Sequence, residues 1–130
     1  MAEPAAVSGD RVTGVCTLHL VPNPATGAPQ PAPPLPFAAP ITLGVCPTVL
    51  IGGRPAVVVG ATGLNTPPHV GLHPADPFLA PPTQQAVITS GSGTVLFGGV
   101  PAARTGSPAT CCGQPVGQLT GSAATVLIGG

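Results

Sequence analysis

Hydrophobic residues in this chain gather in short bursts closed by glycine, and one burst is written three times. TVLIGG occupies Thr48–Gly53, TVLFGG occupies Thr94–Gly99, and TVLIGG returns at Thr125–Gly130. Each copy opens on a β-branched residue, runs through an aliphatic centre and stops at a glycine pair. That pattern predicts a short buried strand closed by a turn whose backbone needs φ > 0. RPAVVVGATG follows the first copy and VPAARTGSPA follows the second, so both place Pro-Ala two residues past the glycine pair. The predicted unit is therefore strand, turn, second strand, turn. Three such units, none able to bury its apolar face alone, predict small sheets packed around a common axis. A sandwich whose strands merely look alike is the alternative. The connections differ in length while the phrase stays fixed, which puts specialisation in the loops.

Composition alters this picture in two ways. The 130 residues include 19 Gly and 20 Pro, which leaves little room for long helices. Such a fraction without a period usually marks disorder, but disordered chains are rich in charge and poor in aliphatics. This one is 43% hydrophobic and 5% charged, with a mean hydropathy of +0.49. Residues 1–9 read as a flexible leader and residues 10–130 as a single domain. Within that domain Val21–Pro40 is a Pro/Ala-rich loop insert, polyproline-like and without chemistry.

Charge excludes several functions. The charged residues are Glu3, Asp10, Arg11, Arg54, Asp76 and Arg104, with no Lys. No basic patch exists to meet a phosphate backbone, and no P-loop lysine exists to hold a nucleotide. So little charge implies a surface largely covered by a partner. No apolar run has signal-peptide character and none approaches the ~20 residues that span a bilayer, so the expectation is synthesis in the cytoplasm without a signal peptide.

The side chains able to do chemistry are His19, His69, His73 and the cysteines Cys16, Cys46, Cys111 and Cys112. A leaderless chain disfavours disulfides, leaving metal binding or plain burial. Each segment leading into a repeat supplies at least one soft ligand, and a pseudo-threefold arrangement would converge those segments at one end. Zinc is served by four nitrogen or sulfur ligands. His19, then His69 and His73 from PPHVGLHP, and one cysteine of TCCG would complete the set, with register favouring Cys111 over Cys112. Cys16 is an alternative to His19 through the spacing in CTLH, and Cys46 reads as a small buried hydrophobe. Catalysis finds little support, because Glu3, Asp10 and Asp76 are the only acids and form no general acid/base pair.

VPAARTG at Val100–Gly106 resembles the signature of PAAR-repeat proteins, spelled by Pro101, Ala102, Ala103 and Arg104. RPAVVVG at Arg54–Gly60 looks like a degenerate copy, and TVLIGG is similar to the strand that precedes the signature. The resemblance runs from about Val12 to Gly130. It implies an all-β cone of three pseudo-symmetric units whose base caps the trimeric spike of a contractile injection system, of the type VI or phage-tail-like extracellular kind. It also implies a metal near the apex held by three His and one Cys, here His19, His69, His73 and Cys111, with Zn2+ expected and iron the alternative. The implied protein is no enzyme. Its expected partners are the spike, at one chain per trimer, cargo or effector proteins, and the target membrane in passing, but no nucleic acid. It would be assembled into the particle and delivered on firing, with no toxin fused after Gly130. The competing readings are a self-assembling β-repeat structural protein and a small metal- or cysteine-dependent enzyme.

Overall fold

A computed structural model describes residues 2–17, 19–112 and 114–129. The strands run β1 (Glu3–Ala5), β2 (Arg11–Cys16), β3 (Leu20–Pro22), β4 (Pro29–Pro31), β5 (Leu35–Leu43), β6 (Cys46–Ile51), β7 (Arg54–Ala56), β8 (Thr62–Leu64), β9 (Gln85–Ile88), β10 (Leu96–Phe97), β11 (Val100–Pro101), β12 (Pro108–Cys111), β13 (Gln114–Thr120) and β14 (Ala123–Ile128). A 3₁₀ turn at Pro81–Thr83 is the one helical element among the described residues. The fold is all-β, as the sequence predicts.

Six strands close into an antiparallel barrel in the order β12-β13-β2-β5-β8-β9. It consists of three pairs, β2/β5, β8/β9 and β12/β13, joined edge to edge, so the three expected sheets fuse and leave no open edge between them. So narrow a barrel has room inside only for side chains. Alternate residues fill it: Phe37, Ala39 and Ile41 from β5, Ala86 and Ile88 from β9, Ala109 and Cys111 from β12, Val12 from β2 and Leu119 from β13, all buried.

Each pair leads into one copy of the repeated phrase below the barrel. β6 turns into β7 through Gly52 (φ 59°) and Gly53 (φ 82°), and β10 turns into β11 through Gly98 (φ 60°) and Gly99 (φ 82°). Two successive positive φ angles make the two-residue hairpin turn whose twist suits the strands, which explains the glycine pair. The expectation of buried strands needs correction. Leu50, Leu96 and Leu127, the third residue of each copy, are 60%, 58% and 60% exposed. Gly130, expected to close the third copy, lies outside the described residues.

The third copy is completed by the other end of the chain. β14 pairs with β1, Leu127 facing Pro4 and Ile128 facing Glu3. The same register holds for Leu50 facing Pro55 and Ile51 facing Arg54, and for Leu96 facing Pro101 and Phe97 facing Val100. Residues 2–9 thus pack into the fold: Ala5, Ala6 and Val7 are buried, and Pro4-Ala5-Ala6-Val7-Ser8-Gly9 is a further copy of the signature.

The three signature copies form a ring. Val7 bridges Ala56, Val58 bridges Ala102, and Arg104 bridges Ala5. The amide of Ser8 donates to the Pro55 carbonyl (2.8 Å), Val59 to Pro101 (3.0 Å) and Thr105 to Pro4 (2.9 Å). Gly9, Gly60 and Gly106, with φ of 96°, 89° and 88°, turn the chain upward and donate to Ile41, Ile88 and Leu119 on the barrel. The next position differs between copies. Asp10 Oδ2 accepts from the Val7 and Ser122 amides, Ser107 Oγ accepts from the Arg104 amide, and Ala61 makes no side-chain hydrogen bond.

Val21–Pro40 also departs from expectation. Leu20–Pro22 and Pro29–Pro31 form a hairpin, and Leu35–Leu43 is the longest strand of the barrel. Its prolines, Pro36 and Pro40, alternate with the inward Phe37, Ala39 and Ile41, so the segment keeps the period of two that a barrel strand needs.

Candidate metal centre

At the end of the barrel opposite the hairpin ring, the three strand pairs are joined by loops of very different length. Cys16 ends β2 and His19 stands just before β3; His69 sits in the long loop between β8 and β9; Cys112 follows β12. Their ligand atoms all lie within 4.8 Å of one another. Cys16, His19 and Cys112 are buried and His69 is partly so. The first unit thus contributes two donors and the others one each, the convergence that a pseudo-threefold arrangement predicts.

Two of the four expected ligands are in this cluster and two are not. His19 and His69 belong to it. His73 lies outside it: its Nε2 meets the Gly27 carbonyl at 3.1 Å and its Nδ1 accepts from the Ala75 amide, so it ties the long loop to the β3–β4 hairpin. Cys111 continues the inward alternation of Ala109 and packs in the barrel core. Cys112 has φ 49°, a left-handed conformation rare outside glycine, and this twist lets adjacent cysteines both be buried. Cys16 joins His19 rather than replacing it.

The protons on the imidazoles are fixed by their outer partners. His19 Nδ1 lies 3.0 Å from Asp76 Oδ2, which accepts, so Nδ1 carries the proton and the Nε2 lone pair faces the cluster. His69 Nε2 lies 2.6 Å from the Pro36 carbonyl and must donate to it, so the Nδ1 lone pair faces inward. These two lone pairs meet at 2.9 Å, with the rings nearly perpendicular. Two acceptors at that distance repel unless a cation stands between them. The Sγ atoms of Cys16 and Cys112 are 3.4 Å apart, and sharing a proton pushes the Cys16 thiol down to about 7 and the Cys112 thiol up. Burial, with the charge of Cys16, pushes the Cys111 thiol up to about 12.

Two imidazoles and two thiols, with both outer imidazole nitrogens already engaged, fit a tetrahedral Zn2+ site and its usual outer hydrogen bonds. Asp76 and Gln84 build those outer contacts. Burial raises the Asp76 carboxyl, but the Leu20 and Phe78 amides and His19 outweigh it and hold the group below the usual carboxylate range. The Gln84 amide donates to the His69 and Phe78 carbonyls and accepts from the His69 amide and Asn65 Nδ2, fixing the loop that carries His69. Sequence reasoning missed both residues. Asp76 carries a faint signal as one of only three acids in the chain; Gln84 carries none.

No curated protein matches the chain. The family model described as PAAR motif matches residues 80–130, the stretch that holds Cys112, one base hairpin and the signature Pro101–Arg104. Over that stretch the chain carries a PAAR motif, which supports the resemblance to PAAR-repeat proteins.

Proposed function

We propose that this chain is a non-enzymatic, metal-stabilised tip that caps the trimeric spike of a contractile injection system, of the type VI or phage-tail-like kind, and sharpens it for membrane puncture. The observation that carries this reading is the threefold closure of the base. One polypeptide repeats the same register, the same bridge and the same exposed leucine three times around a ring. A monomer gains nothing from such repetition by itself, whereas a homotrimer offers three identical surfaces to match it. The PAAR motif of residues 80–130 supports the same assignment. At the other end, the Cys16, His19, His69 and Cys112 cluster would hold one Zn2+. A structural zinc contributes about 10–16 kcal/mol in small zinc domains, enough to fix an apex whose loops have little core of their own.

The test is co-purification of the tagged chain with a spike trimer at one chain per three spike subunits. Failure to associate with any spike trimer at micromolar concentration would remove the assignment. The exposed leucines also favour a second reading, a β-repeat protein that assembles with copies of itself. The solution mass of the isolated chain separates the two, since the tip reading requires a monomer.

A further inference from the structure

Cys16 and Cys112 offer a second way to close the apex. Their Sγ atoms are in contact at 3.4 Å and both side chains are buried. A disulfide holds its sulfurs about 2.05 Å apart, so a shift of little more than about 1 Å separates the contact from the bond. Cys112 lies past the end of β12, in the turn that leads to β13. Thr17, next to Cys16, is exposed, which leaves the pair just beneath the surface of the apex. The other thiols are placed differently. Cys111 Sγ packs inside the barrel, where a Cβ added at Gly117 would come within 2.6 Å of it. Cys46 is in the base, 3.3 Å from the Thr48 hydroxyl.

We propose that Cys16 and Cys112 form an oxidative modification site: in the metal-free chain a peroxide converts the pair into a disulfide that staples the apex in place of the metal. The inference rests on the metal-centre reading. Cys16 attacks the O–O bond of hydrogen peroxide, giving a sulfenic acid and one water. Cys112 then displaces the hydroxyl from that sulfur, forming the S–S bond and releasing a second water. The two thiols lose two protons and two electrons, and the peroxide is reduced to two waters. Metal and oxidant compete for the same sulfurs, so a bound metal blocks the reaction. The set implied by the family resemblance, three imidazoles and one thiol, has no such alternative; the second thiol at Cys16 creates it.

The test compares chelator-treated and zinc-loaded wild-type chain, each exposed to a small excess of hydrogen peroxide. The metal-free chain is expected to lose two hydrogens in intact mass and to retain two of its four cysteines as thiols. Fragmentation of the linked peptide, which separates Cys112 from Cys111, is expected to place the bond at Cys16 and Cys112. The oxidised metal-free chain should melt at a higher temperature than the reduced one, and the zinc-loaded chain should remain unmodified. A link through Cys111 or Cys46, oxygen added to Cys16 with no link, or a disulfide forming equally fast with zinc bound overturns the proposal. Zinc titration of the same samples separates the two readings. A chain that forms the link but takes up no zinc refutes the metal centre alone; one that takes up zinc but forms no link refutes the disulfide alone.

Discussion

One oxygen of Asp76 accepts from both the Leu20 amide (2.7 Å) and His19 Nδ1 (3.0 Å), while the other accepts from the Phe78 amide (2.7 Å). The residue therefore sets the tautomer of a ligand in one unit from a loop in another. Asp76→Asn is expected to lower zinc affinity by about 10–100-fold, read by competition against a chromophoric chelator. His73→Ala should leave zinc stoichiometry and affinity unchanged, since His73 lies outside the cluster. Cys111→Ser should also keep the stoichiometry while costing about 1–3 kcal/mol in urea denaturation, because it puts a hydroxyl in the barrel core. The folded-state pKa of Asp76 is depressed, so the stability it contributes is present above the ordinary carboxylate value of about 3.9 and disappears as pH falls through the folded value. The metal-free chain should therefore lose stability below about pH 4, and Asp76→Asn should flatten that acid limb; an unchanged slope would show that Asp76 contributes nothing. At this scale the sequence was half legible. His19 and His69 stand out because imidazoles are scarce, whereas the choice between Cys111 and Cys112 depends on one left-handed backbone angle that strand alternation does not foresee.

Among the elements, the hairpins were legible and their partners were not. A Gly-Gly pair after aliphatic residues has one economical use, a turn with two positive φ angles, and the described structure has it at Gly52–Gly53 and Gly98–Gly99. β5 was hidden because it begins inside the proline-rich stretch Val21–Pro40, although Phe37, Ala39 and Ile41 keep the alternation. β1 was hidden because its partner, β14, lies at the opposite end of the chain, where no local pattern points. Removing residues 2–9 is a direct test. It would leave β14 unpaired and break two of the three bridges in the ring, those at Val7–Ala56 and Ala5–Arg104. The truncated chain is expected to be insoluble or unfolded by circular dichroism at 25 °C. A truncated chain with the spectrum and melting temperature of the full one would restore the leader reading.

At the scale of the whole molecule, a pseudo-threefold monomer seated on a true threefold partner obeys a strict rule: each partner subunit offers the same group to all three units. Leu50, Leu96 and Leu127 would then enter equivalent recesses, with equal contributions to binding and almost none to folding, as they are 60%, 58% and 60% exposed. The neighbouring positions are not equivalent, since Glu3, Arg54 and Val100 hold the same place in the three hairpins. No single partner residue can complement an acid, a base and an apolar side chain together, so charge should contribute little to the association. Leu50→Asp, Leu96→Asp and Leu127→Asp are each expected to leave the melting temperature nearly unchanged and to weaken capture of the spike trimer by similar factors. Wild-type capture should vary little between about 0.05 and 0.5 M salt. If one leucine carried most of the binding, or if affinity fell steeply with salt, the partner would not be meeting the three hairpins alike, and the base would be recognised as an asymmetric surface.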